Sequence, residues 1–329
     1  MFDNKNILIT GGTGSFGKAC VNILLDKYTP SSIRIYSRDE LKQWEMDKSL
    51  QDHPKYSLLR FLIGDVRDPE RLKRASQGAD IIIHAAALKQ VPACEYNPIE
   101  AIKTNINGAI NVIDAALDCN VEKVIALSTD KASQPINLYG ATKLCSDKLF
   151  IQANNYRGNK ETSFSVVRYG NVMASRGSVI PLFREQAQKG EVTITDDEMT
   201  RFWITLDQAV EFVLSSFGIM QGGELFVPKI PSMKITDLVK AIAPEAKMKI
   251  TGIRPGEKLH ESLIGRDEAL YTYDLGDRYL IEPMLMARWD PNPNIYSQKE
   301  KVGRDFDYNS KTNPQYLSVQ EMEDLLKTV

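Results

Sequence analysis

Residues 11 to 17 read Gly-Gly-Thr-Gly-Ser-Phe-Gly, directly behind the apolar run Ile7-Leu8-Ile9 and directly ahead of a helical pattern. Few features restrict a fold more. Gly11, Gly14 and Gly17 form a GxxGxxG spacing between strand and helix. One glycine permits a tight turn, another lets backbone approach a pyrophosphate, and the third lets helix and strand pack closely. A glycine-rich turn alone often serves only the turn, but strand-to-helix context makes this one a dinucleotide cradle. Gly11, Thr13, Gly14, Ser15, Phe16 and Gly17 are its candidate contacts.

The rest of the first half agrees with that start. β-branched runs at 6–10, 32–37, 58–65, 80–85, 123–128 and 163–168 alternate with helical patterns at 15–26, 40–49, 69–77, 98–119 and 137–155. Such alternation predicts an α/β fold, a doubly wound parallel sheet of Rossmann type whose ligand site lies outside the carboxyl ends of the strands. After Tyr169 the rhythm breaks, so residues 1–170 are expected to form the dinucleotide-binding domain and 171–329 mainly a smaller substrate lobe, with about 205–228 returning to the first.

Charge and composition narrow the function further. Lys and Arg number 41 against 43 Asp and Glu, a net charge of -2 with no long run of one sign, which leaves no footprint for nucleic acid or an anionic membrane. No stretch approaches about 18 consecutive apolar residues, so neither a signal peptide nor a membrane span is expected, and the reading is cytoplasmic. Cys20, Cys94, Cys119 and Cys145 are as scattered as His53, His84 and His260, so no metal site or disulfide framework is expected.

The second strand ends Ser37-Arg38-Asp39-Glu40-Leu41-Lys42. A hydroxyl and two cations suit a ribose 2′-phosphate better than a free 2′-hydroxyl, which favours NADP over NAD. The plainer alternative makes Arg38 and Lys42 solvated charges at a helix start. Asp65 and Val66 follow the third strand, where adenine would lie. Ala85 and Ala86 follow the fourth, offering small side chains beside the cofactor, although alanine runs usually mean packing.

The fifth strand ends Leu127-Ser128-Thr129-Asp130-Lys131, and the next helix carries Tyr139 and Lys143 one turn apart on one face. An ammonium beside a phenol lowers the phenol's pKa, so that a tyrosinate can take a hydroxyl proton while hydride leaves the same carbon for a nicotinamide. YxxxK is common by chance; behind a GxxGxxG and at the fifth strand it is specific. Asp130-Lys131 alone could equally cap the loop.

With these pieces in place the chain resembles the extended short-chain dehydrogenase/reductase family, and within it the inverting UDP-N-acetylglucosamine 4,6-dehydratases that begin pseudaminic acid biosynthesis. The stretches that carry the resemblance include ILITGGTGSFGK, YSRDELKQ, GDVRD, HAAALKQVPACEYNP, KTNINGA, ALSTDKASQPINLYGATK, VVRYGNV, SRGSV, MTRFWITLD and IRPGEKLHE, nearly the whole chain. The resemblance implies tightly held NADP, UDP-N-acetylglucosamine as substrate and a homo-oligomer, often a hexamer. It also implies that Asp130 protonates the departing 6-hydroxyl, and that Lys131 removes the carbon 5 proton and, alone or with Tyr139, controls its return.

For the substrate, the resemblance has Arg201 and Arg254 clamping the diphosphate, Glu257 holding the ribose, Asn171 touching sugar or phosphate, and Val179 and Thr195 lining the nucleotide pocket. Val172 and Arg176 run past the nicotinamide, and Lys89 touches cofactor and sugar. The chain departs from the family pattern at Gln90, where His is common, and at Ser133-Gln134, where Ala-Asn is common. Both flank the sugar pocket and bear on the hexose and on the outcome at carbon 5. A UDP-N-acetylhexosamine 4-epimerase, a retaining dehydratase and a non-catalytic NADP sensor remain as alternatives; Asp130-Lys131 speaks against the first, and the intact Tyr139 and Lys143 against the last.

Overall fold

The structure is a computed structural model and describes residues 1–173, 175, 178–284, 296 and 298–327. β1 (Asn6–Thr10) turns through the glycine loop into α1 (Ser15–Lys27), then come β2 (Ser32–Ser37), α2 (Glu40–Leu50), β3 (Leu59–Ile63), α3 (Pro69–Ser76) and β4 (Ile81–His84). α4 (Val91–Tyr96), α5 (Pro98–Ile102), α6 (Gly108–Asp118), β5 (Lys123–Thr129), α7 (Leu138–Tyr156) and β6 (Ser163–Tyr169) complete the alternation. Local chemistry starts several helices: the carboxylates of Asp39 and Asp68 accept from backbone N–H groups at the first turns of α2 and α3, and the Asn137 side chain does so for α7.

β3, β2, β1, β4, β5 and β6 lie side by side in that order and all parallel, the doubly wound sheet expected from the sequence. The order reverses beside β1, between β2 and β4. That switch point opens the crevice at the carboxyl ends of β1 and β4, where the glycine loop sits. Ile7, Leu8, Ile9, Ile33, Ile35, Ile81, Ile82, Ile83, Val124 and Ile125 are all buried, as strands covered on both faces require.

One expected helix is broken. In place of a continuous 98–119, a π-helical turn over 103–107 separates α5 from α6. That turn directs Asn105 inward, where its side chain accepts from the Leu88 N–H and donates to the Leu88 carbonyl and the Thr142 hydroxyl. An i→i+4 pattern in sequence has no marker for the extra residue; π turns concentrate at functional positions.

Beyond β6 come β7 (Asn171–Val172), α8 (Val179–Ala187), β8 (Glu191–Ile194) and β9 (Thr200–Ile204). α9 (Leu206–Ile219) packs on α1, and β10 (Leu225–Pro228) joins the main sheet parallel to β6. β11 (Ser232–Lys234), α10 (Ile235–Ile242), β12 (Lys247–Ile250), β13 (Ser262–Ile264) and α11 (Arg266–Ala269) follow. β14 (Thr272–Asp274), β15 (Arg278–Ile281) and β16 (Glu300–Lys301) then extend the same sheet antiparallel, so the return to it reaches past 205–228. β17 (Tyr308–Asn309) pairs with β13, and α12 (Val319–Leu326) closes the described chain. A second apolar cluster, including Met173, Phe183, Trp203, Leu238 and Met322, lies under α8, α10 and α12. No helix among the described residues is long and apolar enough to cross a membrane.

Candidate active site

The glycine loop is built for close approach. Gly11 has φ 67°, and a β-carbon there would come within 2.9 Å of the Ala86 backbone, so the ends of β1 and β4 meet only because Gly11 has no side chain. A β-carbon on Gly17 would overlap Gly12, which fixes how tightly α1 lies on the loop. Gly14, the N-cap of α1, supplies no side-chain cap, so the first turn presents its amides to whatever enters. These features fit a dinucleotide pyrophosphate.

At the end of β2, Ser37 is buried and its hydroxyl accepts from Gln43 Nε2 at 3.0 Å, while Asp39 serves as helix cap and pairs with Lys42 at 2.5 Å. Arg38 is half exposed, 3.6 Å from Asp65. Glu40 and Leu41 open α2 with Leu41 on the surface. Burial pushes the Asp65 carboxyl up, but two-point bonding from Arg67 and the backbone N–H of that residue bring it below the usual range. Val66 is buried beside Gly108, and its carbonyl accepts from Asn111.

The centre of the site lies where β5 ends. Thr129 donates to Asp130 Oδ1 at 2.9 Å, and Lys131 Nζ donates to the same oxygen at 3.1 Å. Asp130 is buried and its other oxygen has no hydrogen-bond partner among the described residues. This turn rests directly on α7: a β-carbon on Gly140 would overlap the Lys131 carbonyl oxygen. The glycine in Tyr139-Gly140-Ala141-Thr142-Lys143 therefore sets the distance between the Thr129–Lys131 turn and the helix that carries the tyrosine.

The electrostatics differ from the expectation that Lys143 lowers the Tyr139 phenol. Burial dominates and pushes Tyr139 up to about 12, while Lys131 and a hydrogen bond with Thr129 act in the opposite direction. Lys143, also buried, is itself pushed down by desolvation and partly restored by Asp147 one turn on. Asp147 accepts from Ser128 at 2.7 Å and lies 3.6 Å from the buried Arg168. The neighbouring Leu127 is buried in the sheet core. Lys131 is pushed down by burial, yet Asp130 and Glu261 together push it further up, so its ammonium form is favoured. Lys89, on the loop after β4, is pushed down by burial and by the charge of Lys131, which places the two amines in one cleft.

The remaining candidates lie in the second half of the chain. Arg201 is 7% exposed, and its guanidinium donates to the carbonyls of Thr200, Lys258 and Leu259 at 2.7 to 3.1 Å. These bonds tie β9 to the segment ahead of β13. A sequence motif carries no record of which carbonyls will fold over an arginine. Arg254 is exposed, and both its side chain and its backbone N–H face Glu257, so these two expected ligands pair with each other. Asn171 and Val172 form the short β7 next to β9, Val179 begins α8, and the Thr195 hydroxyl donates to Met199 Sδ at 3.3 Å. Arg176 lies outside the described residues.

Two residues in the site went unnoticed in the sequence reading. Asn105 locks the Leu88 loop to α7, and Glu261 reaches from the second lobe to within 3.4 Å of Lys131. Both lie in stretches that carried the family resemblance, KTNINGA and IRPGEKLHE, but neither stretch has a spacing that singles them out.

Residues 7–283 match the family described as polysaccharide biosynthesis protein. The chain belongs to that family. Among its polysaccharide biosynthesis relatives, the inverting UDP-N-acetylglucosamine 4,6-dehydratase of Campylobacter jejuni is 55% identical over 332 residues, 99% of this chain and 98% of that protein. A UDP-glucose 4-epimerase of Rickettsia canadensis is 44% identical over 100% of this chain and 97% of its own length. The crystal structure of Pen from Bacillus thuringiensis superposes with a TM-score of 0.89 at 38% identity, over 100% of this chain and 99% of that one. The fold is that of the extended short-chain dehydrogenases/reductases.

Proposed function

We propose that the protein is a UDP-N-acetylglucosamine 4,6-dehydratase that inverts carbon 5 and works with NADP, forming UDP-2-acetamido-2,6-dideoxy-β-L-arabino-hex-4-ulose as the first step of pseudaminic acid biosynthesis. The observation that carries this reading is the buried Asp130 carboxylate in contact with Lys131 at the end of β5. A dehydratase must remove a carbon-bound proton and protonate a departing hydroxyl; a 4-epimerase needs neither group. The close relationship to an inverting dehydratase supports the same choice.

The glycine loop and the N-terminus of α1 would hold the pyrophosphate, with Ser37, Arg38 and Lys42 toward the ribose phosphate. NADP held there would supply a reversible hydride acceptor for the sugar, with no net redox over the cycle. The remaining steps belong to protein side chains. As the tyrosinate, Tyr139 accepts the 4-hydroxyl proton; the burial that raises its pKa makes the ionised form a strong base. The resulting ketone acidifies carbon 5, and the Asp130–Lys131 pair, holding one shared proton, does the elimination: with the proton on Asp130, the neutral amine takes the carbon 5 hydrogen while Asp130 protonates the leaving oxygen as water. The pair ends as ammonium and carboxylate, the charge state favoured at rest. Return of the Tyr139 proton to carbon 5 would then restore every group and place that hydrogen on the face opposite Lys131.

Incubating the purified enzyme with UDP-N-acetylglucosamine in deuterated buffer tests the reading by NMR. The expected first product has lost water, carries solvent deuterium at carbon 5 and has the L-arabino configuration. A D-xylo product at the earliest times would mean a retaining enzyme. The relationship to a UDP-glucose 4-epimerase favours a second reading, in which the product keeps its 6-hydroxyl and differs only at carbon 4.

A further inference from the structure

The Asp130–Lys131 pair is not the whole of the charged cluster. Glu261 is 2% exposed and comes from the far lobe, with Oε1 3.4 Å from Lys131 Nζ and 3.9 Å from Arg201 Nε. Its Oε2 has no hydrogen-bond partner among the described residues, and Lys258 Nζ stands 4.0 Å from it. A carboxylate this deeply buried is costly to keep charged without cations around it. The chain goes to some length to hold it there: its N–H donates to Ser310 Oγ, its carbonyl accepts from the Ser310 N–H, and Arg201 ties down the residues just before it. Lys258 in turn donates to the Ser133 carbonyl at 2.6 Å, just past the acid–base turn.

We propose that Glu261 is the positioning residue of the acid–base pair, holding Lys131 Nζ against Asp130 so that the two share a single proton over the working pH range. The inference rests on the dehydratase reading. With one proton the pair can act as base and acid together. A second proton leaves no free amine, and loss of the shared proton leaves no acid. Activity therefore falls on both sides of a plateau. The charged groups facing Lys131 are Asp130 from its own turn, Tyr139 from α7, Lys89 from the loop after β4, Arg201 from β9, and Lys258 and Glu261 from the segment leading into β13. Among these groups of the described residues Asp130 and Glu261 are the carboxylates, so Glu261 is the carboxylate outside the pair that favours proton retention.

The test compares native enzyme, Glu261→Gln and Glu261→Asp for pre-steady-state loss of water from UDP-N-acetylglucosamine across pH. Removing the negative charge makes each proton easier to lose, so both limbs of the kcat profile in Glu261→Gln should move to lower pH, by about one unit or more for a charge this close. KM should change less than kcat, and Glu261→Asp should return the limbs toward the native positions. Limbs that stay in place in Glu261→Gln, whatever its rate, overturn the proposal and leave Glu261 a packing residue. Should that variant not fold, Lys258→Met decides: loss of a neighbouring cation moves the limbs to higher pH, and unmoved limbs overturn the proposal. If the native enzyme releases no water at all, the dehydratase reading has failed first.

Discussion

Arg38 and His84 carry the predictions at the scale of single residues. Arg38 is half exposed and lies 3.6 Å from Asp65, which leaves its guanidinium open to solvent. Arg38→Ala should weaken NADPH binding by about tenfold to a hundredfold, the worth of a charge-assisted contact, and leave NADH nearly unchanged. Fluorescence titration with both cofactors checks this; equal native affinities would remove the basis for assigning NADP. His84 is buried with Nδ1 2.8 Å from the Thr10 hydroxyl, and burial foremost, with Lys143 adding to it, pushes its pKa to about 3. The unfolded imidazole titrates near 6.5, so between these values the unfolded chain binds more protons and stability falls as pH falls. His84→Asn should flatten that dependence by about 1.4 kcal/mol per pH unit below about 6.5, read from denaturant unfolding at pH 7, 6 and 5.

At the scale of elements, the informative contact is between the Asp130–Lys131 turn and α7. Gly140→Ala drives a β-carbon into the Lys131 carbonyl, which cannot move without carrying Asp130 and Lys131 with it. The expected cost is about 1 to 3 kcal/mol of stability, with a much larger loss of turnover than of cofactor binding. Gly218→Ala in α9, where a β-carbon meets nothing within 4 Å, is the control and should be neutral or slightly stabilising. Melting curves and single-turnover rates on the two variants separate these outcomes. The sequence showed Tyr139 and Lys143 on one face because helical period alone decides that. It did not show why glycine stands between them, because the partner is a carbonyl from another element.

The whole molecule brings two lobes onto one cleft. Asn137 at the start of α7 donates to the Gly256 carbonyl, Lys258 to Ser133, and the buried Arg168 of β6 to the Leu263 carbonyl and to Glu268. Ligands that bind only the folded state raise its stability, by about 2.7 kcal/mol at a hundred times the dissociation constant. NADPH and UDP, tested separately and together by thermal unfolding, should each raise Tm and should add, since one is expected on the first lobe and the other on the second. An absent UDP shift would contradict a nucleotide pocket between β7, α8 and the 254–257 segment.

What the sequence determined by itself is whatever follows from local order along the chain. Strand and helix periods and the glycine turn specified the parallel sheet, and the Asp130-Lys131 and Tyr139–Lys143 spacings the candidate site, because each depends on residues only a few positions apart. Only the tertiary structure decided which cations remain free and which carboxylate faces Lys131. The Lys258 and Leu259 carbonyls fold over Arg201, and Glu261, 130 positions after Lys131, becomes the neighbour of that lysine. Charge and burial at those sites come from contacts between distant segments, and no local pattern encodes them.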